Sequence, residues 1–542
     1  MALSYIAFAQ VVYEPLHRDV YSFLSRLSLK SIIVFDDQVR PVSRKYIAQK
    51  LIEASEKSDQ LTSLEKEELE FYSKDFKFEF DMINDVKIDS SQITIVSYDE
   101  GDRLRLFGYR DNLFSINLSP ILGIKIGTRD SEKLTHFWNG IYTYGYIDEY
   151  VGFSFDFRDN LEQGSTIDKF KIFTPITGVD ARTDENIIDY PANKMEYSGL
   201  NAVVATDWSW GSFSVGKGFH EWGFSESGLL VISQKPPSYG FIRLDIKPTD
   251  WLRFNYMHGW LSSNIPDSNS FFYNNAGTIS FSFVDKYIAT HSIIITPISG
   301  LDFSIGESII YDEELEFLYL MPIMFFRLAD HQLSDQANTA GANAQIFLGI
   351  SSKGQIKNTH LYGTLFVDEI TLNGLFDSIK QRNQLGFTFG GSVTDLPIEN
   401  LTVKIEYTKI YPFVYQHYIQ TSDYKSANYI LGHWMGHNAD LIYASLNYRF
   451  LRGLQATAWG QYIRKGEDGN VEQQYNIQPQ PPFLFGLRKN YGYLGAEIKY
   501  EYTHELIAKL NFQTTNTSIQ QTDLSFIDTR LNEFYFSVYY GL

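Results

Sequence analysis

The stretch DLIYASLNYRFLRGLQATAWGQYIR, residues 440–464, predicts the fold. Its first half places Ile442, Leu446 and Phe450 on one face of an extended chain and polar residues on the other. After the tight connection 451–453, the second half repeats the alternation. A strand that crosses a bilayer needs roughly nine to eleven residues, with apolar side chains toward lipid and polar ones toward a lumen. Both halves have about that length, so the stretch predicts a membrane-spanning antiparallel hairpin.

The same unit recurs along the chain. We predict eighteen strands, at 113–126, 133–146, 149–159, 195–206, 208–218, 239–247, 251–261, 287–296, 301–312, 341–352, 356–369, 383–394, 400–410, 440–450, 453–464, 490–502, 505–513 and 534–542. Short connections such as 297–300 alternate with long ones such as 262–286 and 411–439. An even strand number and this alternation are typical of a single-chain outer-membrane barrel with short periplasmic turns and long extracellular loops.

The N-terminal region has a helical pattern instead. Thr62 and Glu65 form the sequence signature of a capping box before a third short amphipathic helix. We therefore predict a periplasmic helical bundle in residues 10–75, a β-rich connector in 76–112 and the barrel in 113–542. The fold class is mainly β: a transmembrane antiparallel β-barrel of about 18 strands with a small N-terminal α-helical bundle.

Residues 1–9 are apolar and end in Ala7-Phe8-Ala9, a small-x-small pattern typical of a secretory cleavage site. We interpret them as the remnant of a signal peptide whose basic start lies upstream. An ordinary chain terminus is the alternative.

Composition limits the partners and the kinds of chemical site that this chain can have. The net charge of -19 disfavours nucleic acid, because phosphate binding needs a basic surface. The chain has no cysteine, which excludes disulfides, thiolate metal sites and a cysteine nucleophile. Aromatic residues make up 16% of the chain, as strands and membrane girdles require.

Charges of both signs fall on the predicted lumen face, for example Lys404 and Glu406. They could line an aqueous pore or pair with an inserted plug. The loop at 313–340 contains the apolar run 318–326, which water would not favour. This run favours a plug formed by that loop.

Four segments resemble the capsule-assembly Wzi family of outer-membrane proteins. They are VGKGFHEWG at 215–223, SGLLVIS at 227–233, SYGFIRL at 238–244 and YLMPIMFF at 319–326. The resemblance extends over roughly residues 109–542. It implies an eighteen-stranded barrel with periplasmic helices, located in the outer membrane of a Gram-negative bacterium, that holds capsular or other extracellular polysaccharide.

Aromatic and polar residues in the long loops suit sugar binding, because a pyranose offers an apolar face and hydroxyl groups. The candidate carbohydrate contacts are His220, Trp222, Tyr415, His417, Tyr418, His433 and Trp434. An aromatic girdle or simple packing would use the same residue types. His433 and His437 have a ligand-like spacing but lack the glutamate of a zinc hydrolase motif. We therefore expect no catalytic residue, no metal and no cofactor.

The predicted function is a lectin-like surface protein that binds and anchors polysaccharide. A porin-like diffusion channel is the alternative, and an outer-membrane hydrolase is a third hypothesis based on the loop histidines and serines. Expected partners are extracellular polysaccharide, outer-membrane lipid and the barrel-assembly machinery, with no nucleic acid, and we expect a monomer.

Overall fold

Eighteen long strands dominate the protein. The structure, a computed structural model, describes residues 8–148, 150–180, 193–337, 341–370 and 383–541. The barrel strands are β1 Phe114–Arg129, β2 Glu132–Ile147, β3 Val151–Gln163, β4 Lys194–Trp208, β5 Gly211–Gly218, β6 Tyr239–Thr249, β7 Leu252–Pro266, β8 Phe283–Ile298, β9 Leu301–Asp312, β10 Asn343–Lys353, β11 Thr359–Glu369, β12 Gln384–Thr394, β13 Leu401–Ile410, β14 Ala439–Leu451, β15 Leu454–Lys465, β16 Lys489–Thr503, β17 Leu506–Gln520 and β18 Phe526–Tyr540. Each pairs antiparallel with the next along the chain.

The sheet closes on itself, because β18 pairs with β1 from Glu533 opposite Arg129 to Tyr540 opposite Leu122. The predicted eighteen-stranded barrel is therefore confirmed. Closure leaves none of the barrel strands with a free long edge, which is what a sheet in lipid requires.

The hairpin at 440–464 forms as predicted. β14 and β15 pair in register, with Ile442 opposite Tyr462 and Leu446 opposite Ala458. Ile442, Leu446 and Phe450 are exposed on the outer wall, whereas Ser445 is buried in the lumen. The apolar face is therefore the outside of the barrel.

The two ends of the barrel differ. Short turns, such as 299–300 and 452–453, connect strands at one end, and longer loops, such as 219–238 and 411–438, connect them at the other. The last hairpin is longer than predicted, because β17 and β18 continue to a turn at 521–525. Alternating polar residues continue the pairing beyond the predicted strand ends.

From Phe8 onward, four α-helices precede the barrel: α1 Val20–Leu29, α2 Arg44–Glu56, α3 Ser63–Asp75 and α4 Lys77–Ile83. The predicted capping box is present at the start of α3, where Thr62 and Glu65 exchange hydrogen bonds. The helices pack around a shared core that includes Phe23, Leu27 and Leu51, all fully buried.

Helix α4 falls within the segment predicted as a β-rich connector. Two strands, Gln92–Tyr98 and Leu104–Arg110, follow it, and the second pairs with β1. A further strand, Phe8–Gln10, pairs with the end of β4. Among the described residues, no helix combines the length and the apolarity needed to cross a membrane.

The bundle covers the short-turn end of the barrel through ion pairs. Asp19 pairs with Lys499 at 2.5 Å, and Glu68 pairs with Arg449 at 2.8 Å. Further pairs join Asp36 to Arg253, Asp37 to Lys353, and Arg26 and Lys30 to Asp395. Because these barrel residues lie on several different strands and turns, the contacts surround the opening.

Candidate functional site

Two long loops, 219–238 and 411–438, fold into the barrel and fill its lumen. Their apolar side chains pack against inward-facing residues of the wall to form a buried core. Its members include Trp222, Leu230, Val231, Ile232, Val414, Tyr415, Tyr424, Leu431 and Trp434 from the loops and Met257, Ile288, Phe347 and Phe366 from the wall. We call these two loops the lumen column.

The lumen column meets the helical bundle inside the barrel. Glu221 and Trp222 pair as a short strand with Arg40 and Val39, and the Arg40 guanidinium lies 2.9 Å from the Glu221 carboxylate. The backbone N–H of Gly223 donates to the carbonyl of Gln38 at 2.8 Å. Protein from both ends of the barrel therefore joins in its interior.

Glu406, buried on the lumen side of β13, fixes the column to the wall. Its carboxylate accepts hydrogen bonds from Ser225 Oγ at 2.9 Å, from the backbone N–H groups of Glu226 at 2.8 Å and Ser227 at 3.0 Å, from Ser227 Oγ, and from the Tyr362 hydroxyl at 2.6 Å. Lys404 pairs with the Glu226 carboxylate at 2.7 Å. The charges predicted on the lumen face therefore bind loop residues.

Four predicted carbohydrate contacts, Trp222, Tyr415, His433 and Trp434, are buried in the column. The Tyr415 hydroxyl donates to the carbonyl of Leu230 at 2.8 Å, and Trp434 Nε1 donates to the carbonyl of Ser227 at 2.5 Å. These side chains hold the two loops together. The most exposed of the four, Trp434, is only 6% exposed.

His220 borders an internal cavity of about 320 Å³ between the column, the wall and residues 13–17. Its ring lies edge-on to Phe241 at 4.2 Å between centroids, and within the described structure neither ring nitrogen has a hydrogen-bond partner. Burial, together with nearby Arg243, holds the pKa of His220 well below its usual range, so the ring is neutral. Other polar groups at this cavity include Glu14, His17, Ser154, Asp156, Arg158, Asn201 and Gln234.

His417 and Tyr418 lie at the long-loop rim of the barrel. Tyr418 is 61% exposed, and His417 lines a cavity of about 280 Å³. The other lining residues are Arg327, Asp330, His331, Ala342, Asn343, Ala344, Asp368, Glu369, Gln384 and Gln416. Carboxylates, amides, a guanidinium and imidazoles supply both donors and acceptors, which is the set that sugar hydroxyls require.

Residues 313–337, here called the outer flap, do not form the predicted plug. They contain a 3-10 turn at Phe317–Leu320 and helix α5, Phe326–Ala337, and they lie on the outside of the barrel. Tyr319, Phe326 and Ala329 of the flap pack on wall residues Tyr256, Tyr287, Ala289, Ile309 and Tyr311. The strand pairing places these wall residues on the same outward face as exposed Ile293, Phe303 and Ile305. The prediction was wrong because the aromatic surface that matches the apolar run is outside, while other loops fill the lumen.

Polar groups of the outward face lie beneath the flap. Glu307 on β9 is buried, 3.2 Å from His291 Nε2, and it accepts hydrogen bonds from the backbone N–H groups of Phe326 at 3.2 Å and Arg327 at 3.4 Å. His291 Nδ1 lies 3.0 Å from the carbonyl oxygen of Pro322. We did not predict these two residues as functional. The signal was present, because Glu307 interrupts an otherwise apolar face of β9 and His291 stands between Ala289 and Ile293 on one face of β8.

The described residues contain no group of three or more histidine, aspartate or glutamate side chains arranged to hold a metal ion. His433 Nε2 lies 3.4 Å from Ser227 Oγ. His437 accepts a hydrogen bond from the Phe413 N–H at 3.0 Å and contacts the Gln416 amide at 2.8 Å. The two histidines thus make separate contacts within the column.

Comparison with known proteins bears on the fold. No family model matches the sequence, and no curated protein matches it. Among solved structures, the chain is similar to Wzi of Escherichia coli, described as an outer-membrane, carbohydrate-binding β-barrel involved in group 1 capsule assembly. The two share 12% identity, with a TM-score of 0.55, over 98% of this chain and 100% of that one. The chain has the Wzi fold.

Two structures from Pseudomonas aeruginosa are less similar to this chain than Wzi is. OprD has 14% identity and a TM-score of 0.41 over 79% of this chain and 95% of the OprD chain. OpdK, solved with vanillate, has 10% identity and a TM-score of 0.43 over 79% of this chain and 98% of its own.

A closed Wzi-like barrel with an apolar outer wall is an outer-membrane protein of a Gram-negative bacterium. Short turns of such barrels face the periplasm and long loops face the exterior. The bundle lies at the short-turn end of the barrel, and His417 and Tyr418 lie at the long-loop rim.

Proposed function

We propose that this protein binds extracellular polysaccharide, including capsular polysaccharide, at its extracellular rim and anchors it to the cell surface. The observation that carries the proposal is the polar rim cavity lined by His417, whose neighbour in the chain, Tyr418, is exposed. The Wzi structure that shares the fold is described as carbohydrate-binding and involved in capsule assembly, which supports the same assignment. The protein acts as a binding module with no catalytic step.

The site uses two kinds of contact. The Tyr418 ring stacks on the apolar face of a sugar, and cavity groups such as Arg327, His331 and His417 hydrogen-bond to its hydroxyl or carboxylate groups. The backbone N–H of His417 donates to Asp423 Oδ1 at 2.7 Å, which holds this part of the loop in place at the cavity. A fixed loop lowers the entropy lost when the sugar binds.

The filled lumen is the reason that we do not propose a diffusion channel. The lumen column and the bundle meet through Trp222 and Val39, so a solute would have to displace packed protein. We further propose that the chain is inserted by the barrel-assembly machinery as a monomer surrounded by lipid.

The test is glycan binding by detergent-purified protein, first on an array and then by titration with the best ligand. Tyr418→Ala is expected to weaken binding about fivefold, which corresponds to about 1 kcal/mol for one aromatic contact. Tyr502→Ala is the matched control, because Tyr502 is also 61% exposed but lies by the periplasmic turn at 504–505.

Two outcomes would contradict the proposal. Equal losses in the Tyr418 and Tyr502 variants would show that the rim is not the binding surface. Unchanged retention of polysaccharide on cells after deletion of the gene would reject the anchoring function itself.

A further inference from the structure

The outer flap exposes apolar side chains on the side that faces away from the barrel. Ile323 is 89% exposed and Leu328 is 66% exposed, and Phe317 and Phe325 are also exposed. In water this exposure would be unfavourable, and several large apolar side chains exposed on one segment mark an interaction site.

The tip of the flap lies at membrane depth. The carbonyl of Pro322 contacts His291, which precedes the periplasmic end of β8, Ile298, by seven residues. At about 3.3 Å per residue and a tilt of about 40°, this places His291 roughly 18 Å above that end, within an apolar band about 25 Å tall. On β14, where no flap covers the wall, exposed apolar residues continue to Ile442, nine residues from the end of its strand at Leu451.

The flap also covers groups that lipid would not tolerate. Without it, the Glu307 carboxylate and the imidazole of His291 would face hydrocarbon, which is costly for charged and polar groups. The N-terminus of helix α5 provides backbone N–H groups to Glu307, and a helix N-terminus favours a negative charge. The Tyr256 hydroxyl donates to the carbonyl of Tyr319 at 2.9 Å. Polar groups of flap and wall therefore satisfy one another.

We propose that the side of the outer flap that carries Ile323, Phe325 and Leu328 lies in the outer leaflet and contacts lipid acyl chains, while Arg327, Asp330 and His331 line the rim cavity. The flap covers His291 and Glu307 of an otherwise largely aromatic wall area and presents apolar side chains in their place. Pro322 of the flap contacts His291, which lies on the same outward face as exposed Ile293 and Ile305, so the flap borders the lipid-facing belt; this identifies acyl chains as its occupant. The proposal does not depend on sugar binding.

The absence of cysteine in the chain allows single-site labelling. Ile323→Cys carries a nitroxide in full-length protein reconstituted into phosphatidylethanolamine and phosphatidylglycerol vesicles. Collisions with oxygen, which concentrates in lipid, are compared with collisions with a water-soluble nickel chelate. Ile442→Cys is the lipid-facing control and Tyr418→Cys is the aqueous control. The oxygen-to-nickel ratio at residue 323 is expected to match that at 442 and to exceed that at 418 several-fold.

If a label at residue 323 collided with the nickel chelate as often as the label at residue 418, the flap would lie in water and the proposal would be overturned. A label shielded from both reagents would show that protein, such as a second copy of the chain, covers the flap, and would also overturn it. Leu328→Cys provides an independent second position. Because both side chains are largely exposed, their replacement does not disturb the fold.

Discussion

Two buried glutamates hold loops on opposite sides of the same barrel wall. Glu406 on β13 points into the lumen and accepts the N–H groups of Glu226 and Ser227. Glu307 on β9 points outward and accepts the N–H groups of Phe326 and Arg327. A carboxylate that accepts backbone N–H groups makes charge-assisted hydrogen bonds, which are stronger than neutral ones.

The comparison shows that the position of an acidic residue in the strand alternation decides where a loop docks. Neighbouring residues in a strand point to opposite sides of the wall. A glutamate on the inward set therefore draws a loop into the lumen, and one on the outward set holds a loop against the exterior. Composition does not separate the two cases, because both loops are rich in apolar residues.

Glu406→Leu is expected to have the largest effect. Five donors lose their acceptor inside the barrel, and buried donors without partners cost about 1–3 kcal/mol each, so we expect a loss of at least about 5 kcal/mol in docking of the column. The measurement is conductance in planar bilayers, where the wild type is closed and the variant shows stepwise currents. Glu406→Gln retains one acceptor oxygen, so this variant is expected to conduct less often than Glu406→Leu. Equally closed traces for wild type and Glu406→Leu would refute the role of Glu406.

Glu307→Leu is expected to have a smaller effect, about 2 kcal/mol on docking of the outer flap, because fewer hydrogen bonds are lost and leucine suits a lipid-facing wall. The readout is the mobility of a nitroxide at residue 323, which should increase while the barrel remains closed. Glu314→Leu is the control, because Glu314 is an exposed residue near the start of the flap. If Glu307→Leu conducted ions, the two glutamates would not act separately on the lumen column and the outer flap, which would contradict the comparison.

A third contact, between bundle and barrel, should respond to pH. His504 is buried on the β16–β17 turn and stacks on Phe71 at 3.7 Å. Burial lowers the pKa of His504 to about 4, from an ordinary 6.5, although Asp75 partly opposes this. Below pH 6.5, His504 therefore binds a proton more readily when the bundle is undocked than when it is docked. Acidification to pH 5 should thus cost about 2 kcal/mol of docking stability.

The check on the pH effect is protease cleavage of the bundle in intact protein between pH 7 and pH 5. Cleavage should increase as pH falls in the wild type and should change less in His504→Leu, which has no proton to gain. An identical pH profile in the two proteins would assign the effect to other groups.

Tyr418→Ala is expected to have the smallest effect on stability, within about 0.5 kcal/mol, because an exposed rim residue packs little. Thermal unfolding of the variant should match that of the wild type even where glycan binding is weaker. A large loss of stability would mean that Tyr418 supports the loop rather than the ligand.

Residue alternation predicted much of the barrel because each strand presents the same two environments, lipid and lumen, to alternate side chains. The hairpin at 440–464 and the capping box at Thr62 depend on neighbours that are close in sequence. Four of the seven candidate contacts, including Tyr415 and Trp434, proved to pack in the column, since an aromatic side chain suits either packing or a sugar.

The sequence by itself determined the closed barrel, the direction in which strand residues point and the presence of a helical bundle, because these follow from local periodicity. Only the tertiary structure decided which loop enters the lumen and which lies on the outer wall. That choice depends on partners distant in sequence, such as Glu406 with Ser227 and Tyr256 with Tyr319, which come together only when the barrel closes.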